Sequence, residues 1–220
     1  MATPRNHGIG MTSRRTRLRM VERLRQQGIR DETVLSVMAE LPRHIFVEEA
    51  LAHRAYEDLS LPLGYGQTIS SPHTVARMSE LARNGRALTK VLEIGTGCGY
   101  QTAVLARLAR QVYSIERLAA LVRLARRHLR EAGVSNVHLR HGDGNAGMPQ
   151  MAPFDAIVMT AAAPGTPTAL IGQLEVGGRM IFPLATGNVQ HLHVIERTAR
   201  GIVERRMDPV VFVPLLTGVG

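Results

Sequence analysis

The stretch "VLEIGTGCGY" at residues 91–100 constrains this chain more than any other. A strand-like apolar run meets glycines at 95, 97 and 99, and a helix-like run follows. A strand that breaks at glycines and continues as a helix opens a βα unit, and glycine there lets a ligand approach the backbone closely. The same texture repeats downstream. "KVLEIG" predicts a strand and 99–109 a helix, then "QVYSIE" a strand and 117–131 a helix. "NVHLRHG" and "FDAIVMTAA" read as further strands, with a short helix over 166–173. Strand–helix alternation specifies an α/β fold with a mainly parallel sheet wrapped by helices. "GGRMIFPL", "VQHLHVIER" and "VERRMDPVVFVPL" follow without intervening helices, which predicts an antiparallel C-terminal edge.

The residues before this core read as helices. Leu18, Val21 and Leu24 recur at helical spacing over 14–27, where Gly28 ends the run. A second helix is expected at 31–40, with Asp31 as its cap and Leu35, Val37 and Met38 inward; "RHIFVEEALAHRAY" predicts a third. The 220 residues form one domain on this reading. Its parts are a disordered leader (1–11), a helical extension (12–60), a loop and helix (61–89), a ligand-binding core (90–185) and C-terminal strands (186–217).

Composition excludes several classes. No apolar run approaches the ~18–20 residues of a membrane helix, and the arginine-bearing N-terminus lacks the apolar stretch of a secretory signal. A single cysteine, Cys98, rules out an intramolecular disulfide and points to the cytoplasm. The net charge of +9 raises the question of nucleic acid, but the basic residues are 26 Arg and one Lys, spread along the chain. Over 14–30 and 107–130 they sit at helical spacing, as on a solvated face. With 4% aromatics and no Trp there is little to stack on bases, which argues against nucleic acid.

Acids surround the glycine turn. Glu93 lies in the end of its strand. Glu116 ends the next strand, 21 residues after Gly95, where a carboxylate can accept from both ribose hydroxyls. Asp143, in "HGDG", follows the third strand, where it or the adjacent Gly144 backbone can meet an adenine amino group. Three acids at three successive strand ends converge on the carboxyl edge of a parallel sheet, the usual ligand crevice. The phosphate loop G-x-x-x-x-G-K-[ST] is absent, and the G-x-G-x-G spacing misses the dinucleotide fingerprint. A nucleoside with positive charge and no phosphate fits, and S-adenosyl-L-methionine is that ligand. With the glycine turn and strand of "LEVGGRMIFPL", this half of the chain resembles class I (Rossmann-like) S-adenosylmethionine-dependent methyltransferases.

The acceptor follows in part by exclusion. The position after the fourth core strand reads "TAAAPGTP", without the Asn/Asp-Pro-Pro-aromatic run of amino-group methylators. Cys98 stands in the glycine turn rather than in a Pro-Cys nucleophile, and is expected to pack beside the cofactor as a small residue. His191 and His193 share a strand face, but two ligands with no third make no metal site, so no metal is expected.

The stretch "GYGQTISSPHT" at 64–74 holds four hydroxyl residues, Thr68, Ser70, Ser71 and Thr74. A helix entry, with Ser70 or Ser71 as cap and Pro72 at the first helical position, accounts for one of them. "PRHIFV", "AYEDLSLPLGYGQTISSPHTVARMSELA", "VLEIGTGCGYQTAVLA", "GDG" and "FVPLL", in this order, resemble the protein-L-isoaspartate (D-aspartate) O-methyltransferase family of the bacterial type. The resemblance runs from about Met11 to about residue 217. It implies a cytoplasmic, monomeric repair enzyme that methylates the free α-carboxyl of L-isoaspartyl residues in damaged proteins and peptides, leaving S-adenosyl-L-homocysteine. Whether D-aspartyl residues are accepted stays open. The resemblance puts the active-site serine at Ser70 and has Ser70 with Thr68, Ile69 and His73 also line the cofactor, which Glu93, Gly95, Gly97, Cys98, Glu116, Asp143 and Gly144 are expected to bind. The residues "NAGMP" after Gly-Asp-Gly depart from the aromatics frequent in bacterial relatives, which should alter packing on the adenine side. An RNA methyltransferase of class I fold and a non-catalytic S-adenosylmethionine sensor are the competing readings.

Overall fold

A computed structural model describes residue 8 and residues 10–220. The expected disordered leader therefore lies largely outside the described residues, and its end, Gly10–Thr12, is a turn of 3₁₀ helix. Two helices follow, α1 (Arg14–Gln26) and α2 (Glu32–Glu40), then 3₁₀ segments at Arg43–Phe46 and Glu49–Arg54. A hairpin, β1 (Leu61–Gly64) and β2 (Gln67–Ile69), leads into α3 (Pro72–Arg83). The core runs β3 (Leu88–Ile94), α4 (Tyr100–Leu108), β4 (Ala109–Glu116), α5 (Ala119–Glu131), β5 (Val137–His141), β6 (Phe154–Met159), α6 (Thr168–Ile171), β7 (Leu174–Thr186), β8 (Val189–Thr198) and β9 (Gly201–Val210).

Seven strands form one sheet in the order β5-β4-β3-β6-β7-β8-β9. The pairs from β5 through β7 are parallel, and β7–β8 and β8–β9 are antiparallel, as the missing helices predicted. β3 has β4 on one side and β6 on the other, so the chain order reverses there and opens a crevice at the carboxyl ends. Both faces of the sheet are covered. Leu92, Ile94, Ile115, Ile157, Met159 and Phe182 pack on one side. Val91, Val112, Ala156, Val158 and Ile181 pack on the other, under α3 and α4. Period-two alternation within runs that are apolar throughout is what a doubly covered parallel sheet requires.

The helical extension departs from its sequence reading in two places. Leu18 is exposed, and Arg17 takes the inner position with Met20, Val21 and Leu24. The reason is local: the Arg17 Nη1 donates to the Glu40 carbonyl at the end of α2 (2.8 Å), and its stem covers apolar surface. The expected third α-helix is two 3₁₀ segments separated by Val47 and Glu48. The Ala55 and Tyr56 carbonyls just beyond them accept from Arg43 and Arg23 instead of continuing a helical ladder. Downstream, the last expected strand stops at Val210, and the chain turns back to make an isolated bridge between Pro214 and Ala162.

Asp31 caps α2, accepting from the Thr33 and Val34 N–H groups, and also receives the Arg83 guanidinium of α3 at 2.8 Å. Burial pushes its carboxyl up, but the Arg83 bond and the two backbone donors more than offset this and hold it below the usual range. A depressed carboxyl stabilises the fold above its unfolded pKa and ceases to do so as pH falls through the folded value. Asp31→Asn keeps a good cap but loses the ion pair, so it should cost about 1–3 kcal/mol at pH 7. Thermal melts of the two proteins should converge as the pH falls below the ordinary carboxylate range.

Candidate functional site

The crevice at the switch point is a cavity walled by five parts of the chain. These are the end of β2 with Thr68, Ile69 and Ser70; the glycine turn 95–98 with Tyr100; Glu116–Leu118 after β4; Gly144; and Thr160–Ala161 after β6. Phe212–Leu216, the segment after β9, adds a sixth wall. Of the residues expected in the site, Thr68, Ile69, Ser70, Gly95, Gly97, Cys98, Glu116 and Gly144 are brought together here.

The glycine turn is built by what its backbone touches. Gly95 has φ +95°, and a Cβ there would lie 2.3 Å from the Thr160 hydroxyl. Its N–H donates to the Ile115 carbonyl, and its own carbonyl accepts from Thr160 Oγ1 (2.5 Å). Gly97, at φ +55°, has only Leu63 near the position of a Cβ, so its backbone faces open space. The Gly97 N–H donates to Glu116 Oε2, and the Leu118 N–H donates to Glu116 Oε1, both at 2.9 Å. Cys98 is buried behind the turn, where burial pushes its thiol up to about 11. Its carbonyl lies 2.9 Å from Nδ1 of His128 on α5, which holds the turn from the side.

Three expected cofactor residues are placed elsewhere. Glu93 is fully buried on the α4 face of the sheet, where Oε2 accepts from Thr102 Oγ1 and Ser114 Oγ at 2.5 Å each. In the register β3–β4, Glu93 stands opposite Ser114, so the alternation that points Ile94 to one face turns Glu93 to the other. Thr96 Oγ1, 2.6 Å from Ser114 Oγ, links this network to the cavity wall. The Asp143 carboxylate is outside the lining and accepts from the Asn145 N–H, the Asn145 amide and the Gly218 N–H. Those bonds hold its pKa low. His73 borders a separate groove with Asp58, Arg77 and Asp208 between α3 and the β8–β9 pair, its N–H donating to Asp58.

The hydroxyls of the loop between β2 and α3 divide their work. Ser71 caps α3, accepting from the Thr74 N–H at 3.2 Å with Pro72 at the first turn. The Ser70 hydroxyl makes no hydrogen bond among the described residues, and Ser70 lines the cavity. Thr68 is exposed on the same wall. Sequence reasoning missed Gln67, Thr160, Arg117 and the 212–216 wall as cavity residues. The 212–216 wall falls in "FVPLL", which the sequence reading assigns largely to the last strand.

The chemistry of the donor set fits S-adenosylmethionine. An acid at the end of β4 beside open glycine backbone suits a cationic nucleoside, and Arg117 in the lining donates to the Gly218 carbonyl. One carboxylate oxygen of Glu93, Oε1, is buried without a partner beneath the same turn. Among the described residues no group of three His, Cys, Asp or Glu is positioned to hold a metal ion; His193 instead meets Glu204 at 2.6 Å.

Burial of Glu93 with hydroxyls and no cation pushes its carboxyl up to about 8, Ser114 and Thr102 pulling it down and Glu116 adding to the rise. Between the unfolded and folded values the native state holds a proton that the unfolded chain has lost, so stability falls as pH rises. Glu93→Gln should remove this slope, making the variant roughly 2–5 kcal/mol more favourable relative to the parent at pH 8 than at pH 4. Denaturant melts at a series of pH values check it, and parallel curves for the two proteins would refute a neutral Glu93.

A profile of the family described as protein-L-isoaspartate(D-aspartate) O-methyltransferase (PCMT) matches residues 15–220. The chain is 60% identical over 216 residues to the protein-L-isoaspartate O-methyltransferase of Nitrosomonas eutropha, covering 97% of each. It is 59% identical to the enzyme of that name from Chromobacterium violaceum, covering 99% of this chain and 98% of the other. Among solved structures, a protein-L-isoaspartate O-methyltransferase superposes with TM-score 0.82 at 27% identity, over 93% of this chain and 67% of that one. A putative protein-L-isoaspartate O-methyltransferase from Plasmodium falciparum, in complex with S-adenosyl-L-homocysteine, gives 0.78 at 25% identity, over 91% and 98%. The strand–glycine–helix turn, the switch-point cavity and these matches across nearly the whole chain lead to one conclusion: it belongs to the protein-L-isoaspartate(D-aspartate) O-methyltransferase family.

Proposed function

We propose that this protein transfers a methyl group from S-adenosylmethionine to the free α-carboxyl of L-isoaspartyl residues in damaged proteins and peptides, with Ser70 as the residue that aligns the acceptor. The observation that carries the assignment of Ser70 is its free hydroxyl on the cavity wall beside a serine already used as the helix cap. Bound S-adenosylmethionine supplies an electrophilic methyl on a sulfonium. Glu116 is the acceptor for its ribose hydroxyls, the 95–98 turn and Gly144 offer backbone, and Thr68, Ile69 and Cys98 complete the wall. Glu93 supports the turn from below through Ser114 and Thr96. Asp143 and His73 act at one remove, Asp143 by holding the loop beside Gly144.

The acceptor carboxyl has a pKa of about 4 and is ionised at neutral pH, so the chain needs no general base for it. Its residues have to displace water from that carboxylate and aim one oxygen. The hydroxyls of Ser70 and Thr68 donate to the other oxygen without neutralising the attacking one. Orientation and removal of water are each worth several kcal/mol. We infer a cytoplasmic monomer without a nucleic-acid partner; no helix among the described residues is long and apolar enough to cross a membrane.

Labelled S-adenosylmethionine offered with an isoaspartyl peptide, its aspartyl counterpart and bulk RNA tests the reading. Label is expected in the isoaspartyl peptide alone; label confined to RNA, or tight cofactor binding without transfer, would overturn it. Glu116→Ala should weaken cofactor binding by roughly 1.5–3 kcal/mol in calorimetry, as when hydrogen bonds to a charged group are lost. Ser70→Ala should lower turnover by about 10- to 1000-fold, while cofactor affinity and thermal stability stay near the parent's. Ser70→Asp is expected to fold and be nearly inactive, because a carboxylate there repels the acceptor. Ser71→Ala should do the reverse, losing about 1 kcal/mol of stability with normal turnover in the folded fraction.

A further inference from the structure

Arg43 opens the first 3₁₀ segment after α2 and is fully buried. It forms no ion pair among the described residues. Its Nε donates to the Ala55 carbonyl (2.8 Å) and its Nη2 to the Ser70 carbonyl (2.7 Å). The guanidinium carbon lies 4.7 Å from the centroid of the Tyr100 ring, and Nη1 is buried without a partner. Burial lowers the pKa, with Tyr100, Cys98, Tyr56 and Asp58 opposing it, and the guanidinium stays protonated. Packing alone does not call for such a group. An apolar residue of similar volume would fill the space without the several kcal/mol that removing a charge from water costs.

Two other arginines also serve carbonyls, Arg17 that of Glu40 and Arg23 that of Tyr56, and each binds a segment of the helical extension. Arg43 differs in its target. Ser70 belongs to neither neighbouring element: Ile69 is paired with Leu61 in the hairpin, and Ser71 is the cap of α3. The joint between them has one backbone carbonyl, and Arg43 holds it. The ring against the guanidinium belongs to Tyr100, which lines the same cavity as Ser70. The flat fork can reach two carbonyls while lying over a ring, which a lysine ammonium cannot reproduce.

We infer that Arg43 is a positioning residue for methyl transfer, fixing the Ser70 peptide from behind so that the Ser70 hydroxyl faces the acceptor carboxylate. The inference rests on the assignment of Ser70 above. With the carbonyl held, rotation of the joint is blocked, and the hydroxyl keeps one direction relative to the glycine turn. Misplacement of a group by about 1 Å costs up to about 100-fold in rate.

The test is a double-mutant cycle. Arg43→Lys and Arg43→Gln are each made alone and with Ser70→Ala, and all are assayed on an isoaspartyl peptide. Arg43→Lys is expected to lower kcat by about 10- to 100-fold. The peptide KM and the calorimetric Kd for S-adenosylhomocysteine should stay within about twofold of the parent, because the interaction lost belongs to the transition state. In the Ser70→Ala background the same substitution should cost less than about threefold, because the residue it acts through is gone. Equal losses in the two backgrounds, or a loss of cofactor affinity with kcat unchanged, would overturn the inference. So would failure of both variants to fold, since Arg43 would then serve stability. If the unsubstituted protein transfers no methyl group to the peptide, the functional reading fails and the inference falls with it.

Discussion

The site depends on the absence of one side chain. At Gly95 the chain leaves β3 with φ +95° and passes so close to Thr160 that a Cβ would sit 2.3 Å from its hydroxyl. That contact ties three strands together at the switch point. Gly95 bonds to Ile115 at the end of β4, and Thr160, just after β6, bonds back to the Ile94 and Gly95 carbonyls. Once the turn is fixed there, Gly97 is carried to Glu116 and α4 starts at Tyr100. A larger residue at 95 would need an unfavourable backbone and would push β3 and β6 apart, removing the cavity floor.

A second constraint lies beneath this turn. Glu93, Ser114, Thr96 and Thr102 form a buried network of one carboxyl and three hydroxyls, with no cation in it. A buried carboxyl is tolerable when neutral and bonded, and costly when ionised. The network therefore supports the turn most firmly with Glu93 protonated. A cationic ligand above would favour the ionised form instead. Glu116 disfavours that ionisation, so the two acids share one electrostatic field though only Glu116 faces the cavity.

Residues whose environment is set within a few positions could be read directly. The inner stretches of β3, β4, β6 and β7 are mainly apolar because both faces are covered, and Asp31 and Ser71 cap helices beside clear periodic runs. Residues whose environment is set from a distance could not. Leu18 looked inward by period, but Arg17 is inside because a carbonyl at the end of α2 receives it. The hairpin of β1 and β2 is too short, at four and three residues, to show alternation. In the site, Glu116 reaches the cavity because a strand end points at the crevice. Glu93 was misplaced because one residue along a strand reverses the face. Asp143 is expected to meet an adenine amino group, yet Gly218 approaches it from 75 positions away and occupies its carboxylate.

The charges around the acceptor loop follow one rule. On the cavity wall, Thr68 and Ser70 offer neutral donors, while the buried guanidinium of Arg43 stands behind the Ser70 carbonyl and reaches the loop only through backbone. A cation in direct contact with an attacking carboxylate would lower its nucleophilicity, because the bond that holds the ground state must weaken as charge leaves the oxygen. A hydroxyl bonds less strongly and gives up less in that step. Holding the hydroxyl still is then the remaining requirement, and a buried cation bonded to carbonyls does so without touching the substrate. In the proposed arrangement the hydroxyls and the arginine work together: orientation comes from behind the loop, and the loop's own groups toward the acceptor, Thr68 and Ser70, are neutral.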